Sequence, residues 1–402
     1  KSLWELAVIK KPSGFPEYLA TTWQDVAKTI YEDASFQKQL ETTAYYENDF
    51  KTFIEGIIDG EKKIEAILAL IKSKVKWNQY LGYMTDNGLE EAYKEGTGNI
   101  ADINLMLISM LQYAGLEAYP VLVSTSDNGI PVYATRKGFN YVIAGVKLEN
   151  DYLLLDASDP FSGINMLPQH AMNWQGRMIR PNGSSEWVAL YPTYSSQQLF
   201  FIEASIENGI LTAKVNERKR NHFAKEYRDA FAQTDVSSQI SAITTTNENI
   251  VISNFETAGL TTTESTMSVS YTANSTSLVA EIAGDLYLSP MLFFGLDKNP
   301  FKSDTREYPI FFKFPQSKKY TISIKVPAGY KVRSLPTSTK IKLGDKVGAF
   351  TYIVKQTNEN IQILAKFEIS TPFLLAEDYS YLKELYSQRI AKEKEKIVFT
   401  KI

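Results

Sequence analysis

The stretch Gly96-Thr97-Gly98-Asn99-Ile100-Ala101-Asp102-Ile103-Asn104 is a glycine-rich turn that opens the most apolar helix of the chain. A helix N-terminus presents unpaired N–H groups and a positive dipole end, the setting in which an enzyme places an anionic nucleophile. Here that place holds Ile100, which has no lone pair. Other reactive groups are few. Cysteine is absent, which removes thiolate nucleophiles, thiolate metal sites and disulfides together. The two histidines, His170 and His222, are candidate bases for a serine, but no G-x-S-x-G elbow accompanies them. Both read as structural or surface residues. Asp156 and Asp159 stand three apart, a spacing open to a carboxylate acid/base pair or a calcium loop, although the EF-hand ligand pattern is missing. Trp77 and Trp174 are either core residues or aromatic platforms for a peptide or a sugar.

Around these residues the pattern predicts helices over 22–46 and 57–71, then the central helix, opened by the glycine-rich turn, apolar almost all round over 103–114 and stopped by Gly115. Strands follow over 118–123, 139–146 and 152–155, the last two joined by a turn at Glu149-Asn150-Asp151. Helices first and an antiparallel sheet after them make an α+β layout. Beyond Arg180 short strands dominate. One hairpin runs over 200–206 and 211–215 across Asn208-Gly209, and alternating runs at 320–324 and 361–367 recur at sandwich-like spacing. Residues 237–277, rich in Thr, Ser and Asn, read as exposed strands or a loosely held connection. The last helix, over 378–394, carries Leu382, Leu385, Tyr386 and Ile390 on one face and docks on its own domain. The expected organisation is an α+β domain over 1–180 and a mostly β, sandwich-like domain over 181–402.

A length of 402 residues suits two domains, and 44% hydrophobic with 22% charged residues places the chain among folded globular proteins. A net charge of −3 with interspersed signs argues against nucleic acid as a partner. The densest basic run, Arg218-Lys219-Arg220 beside Glu217, reads as a solvated strand end. No metal or cofactor is called for. No apolar run is long enough to span a bilayer. Lys1 opens directly into strand-like residues 4–9, so the chain reads as the trimmed remainder of a longer one.

On these residues the first domain resembles the transglutaminase-like, papain-related superfamily. That family has a Gly-x-Cys helix opening, an apolar helix ending in glycine, a strand with an Asn-His or similar pair, and a strand ending in Leu-Asp-x-Thr/Ser. This sequence carries GNIADINLMLISMLQYAGLEAYPVLV, GFNYVIAGV and YLLLDASDP in the same order and spacing, over about residues 60–170. GNxADINLML, PVLVST, FNYVIA and LLLDASD are similar to domains of Gram-negative envelope proteins flanked by β-rich domains. Asn299-Pro300-Phe301-Lys302 and the Tyr308-Pro309 strand resemble the C-terminal β domain of that group.

The resemblance implies a Cys-His-Asp triad at Ile100, Tyr141 and Asp156, with Asn140 taking the middle place if the register shifts by one. Only Asp156 keeps the family's residue type, and tyrosine, with a pKa of about 10, is a poor base near neutrality. The implied reading is a non-catalytic protein of the periplasm or cell envelope that binds or scaffolds a peptide, protein or glycan. Trp77, Asn99, Asn140, Tyr141, Asp159 and Trp174 are its candidate contacts. Asp156 is then expected to hydrogen-bond its neighbours, the Tyr141 hydroxyl among them. The alternatives are a hydrolase or protease with a carboxylate-based site at Asp156 and Asp159, or a β domain that acts alone through edge-strand pairing or glycan binding.

Overall fold

A run as apolar as residues 100–111 must be covered on every side, and in the computed structural model of the protein it is. The structure describes residues 8–18, 22–148, 151–245, 247, 249–344, 347–357 and 359–402. They fall into two units, Lys1–Tyr191 and Pro192–Ile402.

The first unit begins with a short antiparallel pair, β1 (Val8–Ile9) and β2 (Glu17–Tyr18). The rest of the strand expected over 4–9 lies outside the described residues, as do Glu149 and Asn150 of the expected turn. Helices α1 (Trp23–Tyr31), α2 (Gln37–Glu41), α3 (Glu47–Ile54) and α4 (Gly60–Lys74) follow. The single helix expected over 22–46 is therefore broken. Its first piece starts on a capping box between Thr22 and Asp25. It ends at a local turn in which the Ser35 amide and hydroxyl donate to Asp33 Oδ1 at 3.1 and 2.7 Å. Short polar side chains that bond nearby backbone compete with helix in this way.

Next come β3 (Lys76–Trp77), α5 (Leu89–Glu95), β4 (Thr97–Gly98), parallel to β3, and the central α6 (Ile100–Tyr113). Then β5 (Ala118–Val123), β6 (Tyr141–Lys147), β7 (Tyr152–Leu155), β8 (Gln175–Ile179) and β9 (Ser185–Ala189) form one antiparallel sheet in the order β7-β6-β5-β8-β9. α6 packs on β5 and β6 with one side and on α2, α4 and α5 with the other. Each fully buried Leu, Ile or Met on it is worth about 1.5–3 kcal/mol. The helix stops in a Schellman motif: the Gly115 amide, at φ +81°, donates to Gln112 O and the Leu116 amide to Leu111 O, both at 3.0 Å. Because the β8–β9 hairpin is bonded into this sheet, the first unit extends to Tyr191. The boundary expected at residue 180 cuts that hairpin.

The second unit contains β10 (Ser196–Glu207), β11 (Ile210–Arg220), α7 (His222–Phe231), α8 (Val236–Thr244), β12 (Val251–Ala258), β13 (Thr266–Ser275), β14 (Val279–Ile282), β15 (Asp285–Leu288), β16 (Ile310–Phe311) and β17 (Gln316–Lys325). It continues through β18 (Tyr330–Ser334), β19 (Thr339–Leu343), β20 (Gly348–Gln356), β21 (Asn360–Ile369), β22 (Phe373–Leu374), α9 (Tyr379–Glu393) and β23 (Ile397–Lys401). Eight strands form one sheet, β12-β13-β11-β10-β17-β21-β20-β19, antiparallel except for β10 with β17. A second sheet is β14-β15-β23-β18. The β10–β11 hairpin turns on Asn208 and Gly209, both at positive φ.

Ile202, Val215, Ile322 and Ile363 from the large sheet share one core with Leu288 and Phe399 from the small sheet and Leu382 from α9. The stretch 237–277, expected as strands or a loose connection, includes α8 as well as β12 and β13, and Val269, Tyr271 and Ala273 of β13 are core residues. The basic run is not wholly solvated either. Lys219 is buried, ion-pairs with Glu217 and lies 5.0 Å from the Tyr227 ring.

Candidate functional site

Two glycines shape the start of α6. Gly96 ends α5 in the left-handed region at φ +71°, and Gly98 lies so close to the next turn that a Cβ there would stand 2.8 Å from the Asp102 Cβ. Asn99 then caps the helix. Its side chain accepts the Asp102 amide at 2.8 Å, and the Asp102 carboxylate accepts the Asn99 amide at 3.0 Å. The Ile100 amide donates to Tyr80 O at 3.4 Å, and the same carbonyl accepts Trp77 Nε1–H at 2.9 Å. The positive end of the helix thus already faces a carboxylate and a carbonyl of its own chain, and the Ile100 side chain is fully buried.

One turn further on, Asn104 reaches from α6 to the sheet. Its Nδ2 donates to Val142 O and to Asp156 Oδ1, each at 3.0 Å, and its Oδ1 accepts the Ala157 amide at 2.8 Å. Asp156 follows β7 and is fully buried. Besides Asn104, its Oδ1 accepts the Ser158 amide and hydroxyl at 2.9 and 2.6 Å, while its Oδ2 accepts the Tyr141 hydroxyl at 2.7 Å. Tyr141 and Ser158 oxygens also stand 3.0 Å apart. The two hydroxyls thus share three oxygen–oxygen contacts, and both donate to the carboxylate.

Burial first, and then the charge of Asp156, hold the Tyr141 phenol well above its ordinary pKa of 10.0, so it is a donor and not a base. The His170 ring meets Tyr141 edge to face at 5.3 Å, and its buried Nε2 has no hydrogen-bond partner among the described residues. Among the described residues the nearby Ser126 hydroxyl donates to the His170 backbone carbonyl at 3.4 Å and not to its ring. Asp156 is enclosed by four donors, and Asp159 accepts the Phe161 amide at 2.9 Å.

The structure thus joins Tyr141 to Asp156 directly and places Ile100 on the helix whose next turn contacts β6 and the segment after β7. The remaining expected contacts are differently placed. Asn99 is spent on the cap and on Met84 O. Asn140 holds the Thr125 amide and hydroxyl at 2.9 and 2.8 Å. Trp77 is half-buried, whereas Trp174 is 43% exposed at φ +62°. Trp174 is the outer member of an aromatic group that sequence reasoning did not assemble. Its ring lies 6.4 Å from Trp187, which lies 5.0 Å from both the Trp23 ring and the Arg177 guanidinium. Asn104 and Ser158 were also missed. The available signal was a polar residue one turn inside an otherwise apolar helix. No three His, Asp or Glu among the described residues form a metal-holding group, and no described helix is long and apolar enough to cross a membrane.

Residues 284–399 match DUF3858, a domain of unknown function with solved structure. No curated protein matches the chain. A crystal structure of a "putative protease" from Parabacteroides distasonis ATCC 8503 superposes on 99% of this chain with a TM-score of 0.55 and 11% identity. This chain covers 63% of that one, and at such identity the likeness concerns the mixed α+β fold alone.

Proposed function

We propose that the first unit is a transglutaminase-like domain without acyl-transfer chemistry, and that the protein works by binding a peptide or glycan in the periplasm or cell envelope. One observation carries this reading. Where the resemblance puts a nucleophile, a base and its orienting carboxylate, the chain has a buried aliphatic side chain and a phenol bonded at 2.7 Å to a buried aspartate. Thiolate attack needs a polarisable sulfur and a base that cycles a proton near neutrality, and neither group is there. On this reading the old constellation serves the fold, with Asp156 bonded to Tyr141 and to Asn104 of α6. Trp174, backed by Trp187, is an exposed aromatic surface on the same unit that suits a ligand.

Two measurements test the reading. Purified wild-type protein is expected to be inert in peptidase and acyl-transfer assays, and turnover that survives purification and is lost in Asp156→Asn overturns it. Because the chain has no cysteine, Ile100→Cys introduces a single thiol. Its alkylation in the folded protein is expected to be at least a hundredfold slower than in urea. Modification at the unfolded rate would mean an open groove at the helix start and would also overturn the reading.

A further inference from the structure

Along β10, β11 and β17 of the eight-stranded sheet the residues that face the core are buried, and those between them point to the opposite face. The basic run of the sequence splits on this alternation: Lys219 turns inward, while Arg218 and Arg220 turn outward and are exposed. Register places Arg218, Leu199, Lys319 and Lys366 side by side across β11, β10, β17 and β21. Lys319 and Lys366 stand directly opposite one another, which is destabilising without a counter-charge. Lys366 has Glu368 as its partner, but Arg218 and Lys319 have no ion pair among the described residues. Two residues further along the same strands, about 7 Å by strand rise, a cavity of about 460 Å³ opens on this outer face. Phe201, 47% exposed, stands in it among Asn216, Asn254, Ser270, Thr272 and Thr321. None of these five polar side chains makes a hydrogen bond within the protein among the described residues. Asn254 lies in the register shift of β12 between Ser253 and Glu256, at φ +52°, and such bulges re-aim side chains beside sites. The charges of the cavity itself, Glu203 and Lys214, are cross-strand neighbours and offset one another.

We propose that this face binds an acidic oligosaccharide, with sugar rings in the cavity against Phe201 and a carboxylate of the chain on Arg218 and Lys319. Hydroxyls and amides both donate and accept, as sugar hydroxyls do, so uncommitted ones gathered in one hollow suit a polyol. The Phe201 ring adds an apolar wall for the C–H face of a sugar. The arginine fork matches a carboxylate in two parallel bonds, and the lysine beside it adds a second positive charge. Other polyanions fit less well. An extended peptide gains affinity by pairing with a free strand edge, and β10, β11, β13 and β17 already have strands bonded on both sides. A nucleic acid strand stacks successive bases on several rings, and of the two rings lining the cavity, Phe201 and Tyr271, only Phe201 is exposed. An anionic membrane takes up apolar side chains that protrude, and here the aromatic ring stands in a hollow. This inference uses the second unit only and stands or falls apart from the reading of the first.

The experiment is titration calorimetry of the full chain with oligosaccharides of galacturonate, glucuronate and mannuronate, each beside its carboxyl-reduced counterpart. At least one acidic oligosaccharide is expected to bind, at least tenfold more tightly than its reduced form and more weakly as salt is raised. Phe201→Ala and Lys319→Gln are each expected to weaken that binding at least fivefold. Phe201 is exposed and Lys319→Gln relieves a like-charge pair, so both variants are expected to fold, the second with a melting temperature unchanged or raised. A merely structural role of Lys319 would lower it instead. The proposal is overturned if none of the oligosaccharides binds, if the reduced forms bind as well as the acidic ones, or if both variants bind like wild type. Equal affinity for a polyglutamate peptide, for single-stranded DNA or for phosphatidylglycerol vesicles would also overturn it, as charge attraction without sugar recognition. Binding lost in Trp174→Ala but kept in Phe201→Ala would put the ligand on the first unit, which overturns this inference and leaves the reading of that unit standing.

Discussion

At the scale of single residues, Asn104 holds the candidate site together more than either residue flanking it in the inferred constellation. It alone bonds Val142, Asp156 and Ala157 from the helix side, so one amide fastens α6 to both β6 and the segment after β7. Asn104→Leu keeps a similar volume but strands the Ala157 amide, the Val142 carbonyl and one acceptor position of Asp156. Each buried orphan costs about 1–3 kcal/mol, so a loss of about 2–4 kcal/mol is expected after partial relaxation. A urea titration with an unchanged slope and a lowered midpoint measures it, and a loss below about 1 kcal/mol would mean that these bonds are not formed in solution. The Tyr141–Asp156 bond was legible in the sequence, because a phenol and a carboxylate at those places had one another as natural partners. Asn104 was not, because an amide inside an apolar helix reads as an interruption until the strand facing it is known. Asn99 and Asn140 were legible as polar residues near the site. That their amides are already committed to a cap and to a loop depends on backbone geometry that composition does not carry.

At the scale of elements, α6 was the most legible, since its apolar character all round leaves no solution other than burial on both sides. The glycine-rich opening put Ile100 at the start of the helix, and the Asn99–Asp102 capping box sets its first turn there, ahead of the apolar run read from residue 103. The helices before it were less legible. The apolar spacing over 22–46 continues through residues where the Asp33–Ser35 turn takes the backbone out of helix, and periodicity does not register such local competition.

The cap has a pH signature. Burial, outweighing the Asn99 amide, raises the Asp102 pKa above its ordinary 3.8. Below pH 3.8 the carboxyl is protonated in folded and unfolded chains alike, and its contribution is fully present. As pH rises the unfolded chain ionises first, so stability falls until the folded pKa has been passed and then levels off. Asp102→Asn keeps an acceptor for the Asn99 amide but has no proton to lose. The stability of wild type relative to this variant is therefore expected to decline from pH 3.5 to a plateau at higher pH, followed as urea midpoints. A difference constant with pH, or one growing in favour of wild type, would contradict the assignment.

At the scale of the whole molecule, the alternation of buried and exposed residues made the second unit legible as mostly β, but its strand order was not. The parallel pairing of β10 with β17 joins residues more than a hundred apart, and nothing local encodes it. That pairing also bears on where an independently folding piece begins. The region matching DUF3858, residues 284–399, contains β17 but not β10. Cut there, the chain would expose one whole side of a ten-residue strand whose Tyr320, Ile322 and Ile324 are buried, and would lose the Phe200 ring stacked on Tyr320 at 4.5 Å. A long, regular, apolar edge invites association. A fragment spanning 192–402 retains both partners of β17 and the shared core. It is expected to unfold cooperatively as a monomer, while 284–399 is expected to associate or to melt without a sharp transition, as followed by circular dichroism and sedimentation. If 284–399 instead unfolded as a cooperative monomer at the same urea midpoint as 192–402, the β10–β17 pairing would contribute nothing to the unit's stability, and its boundary would have to be moved to residue 284.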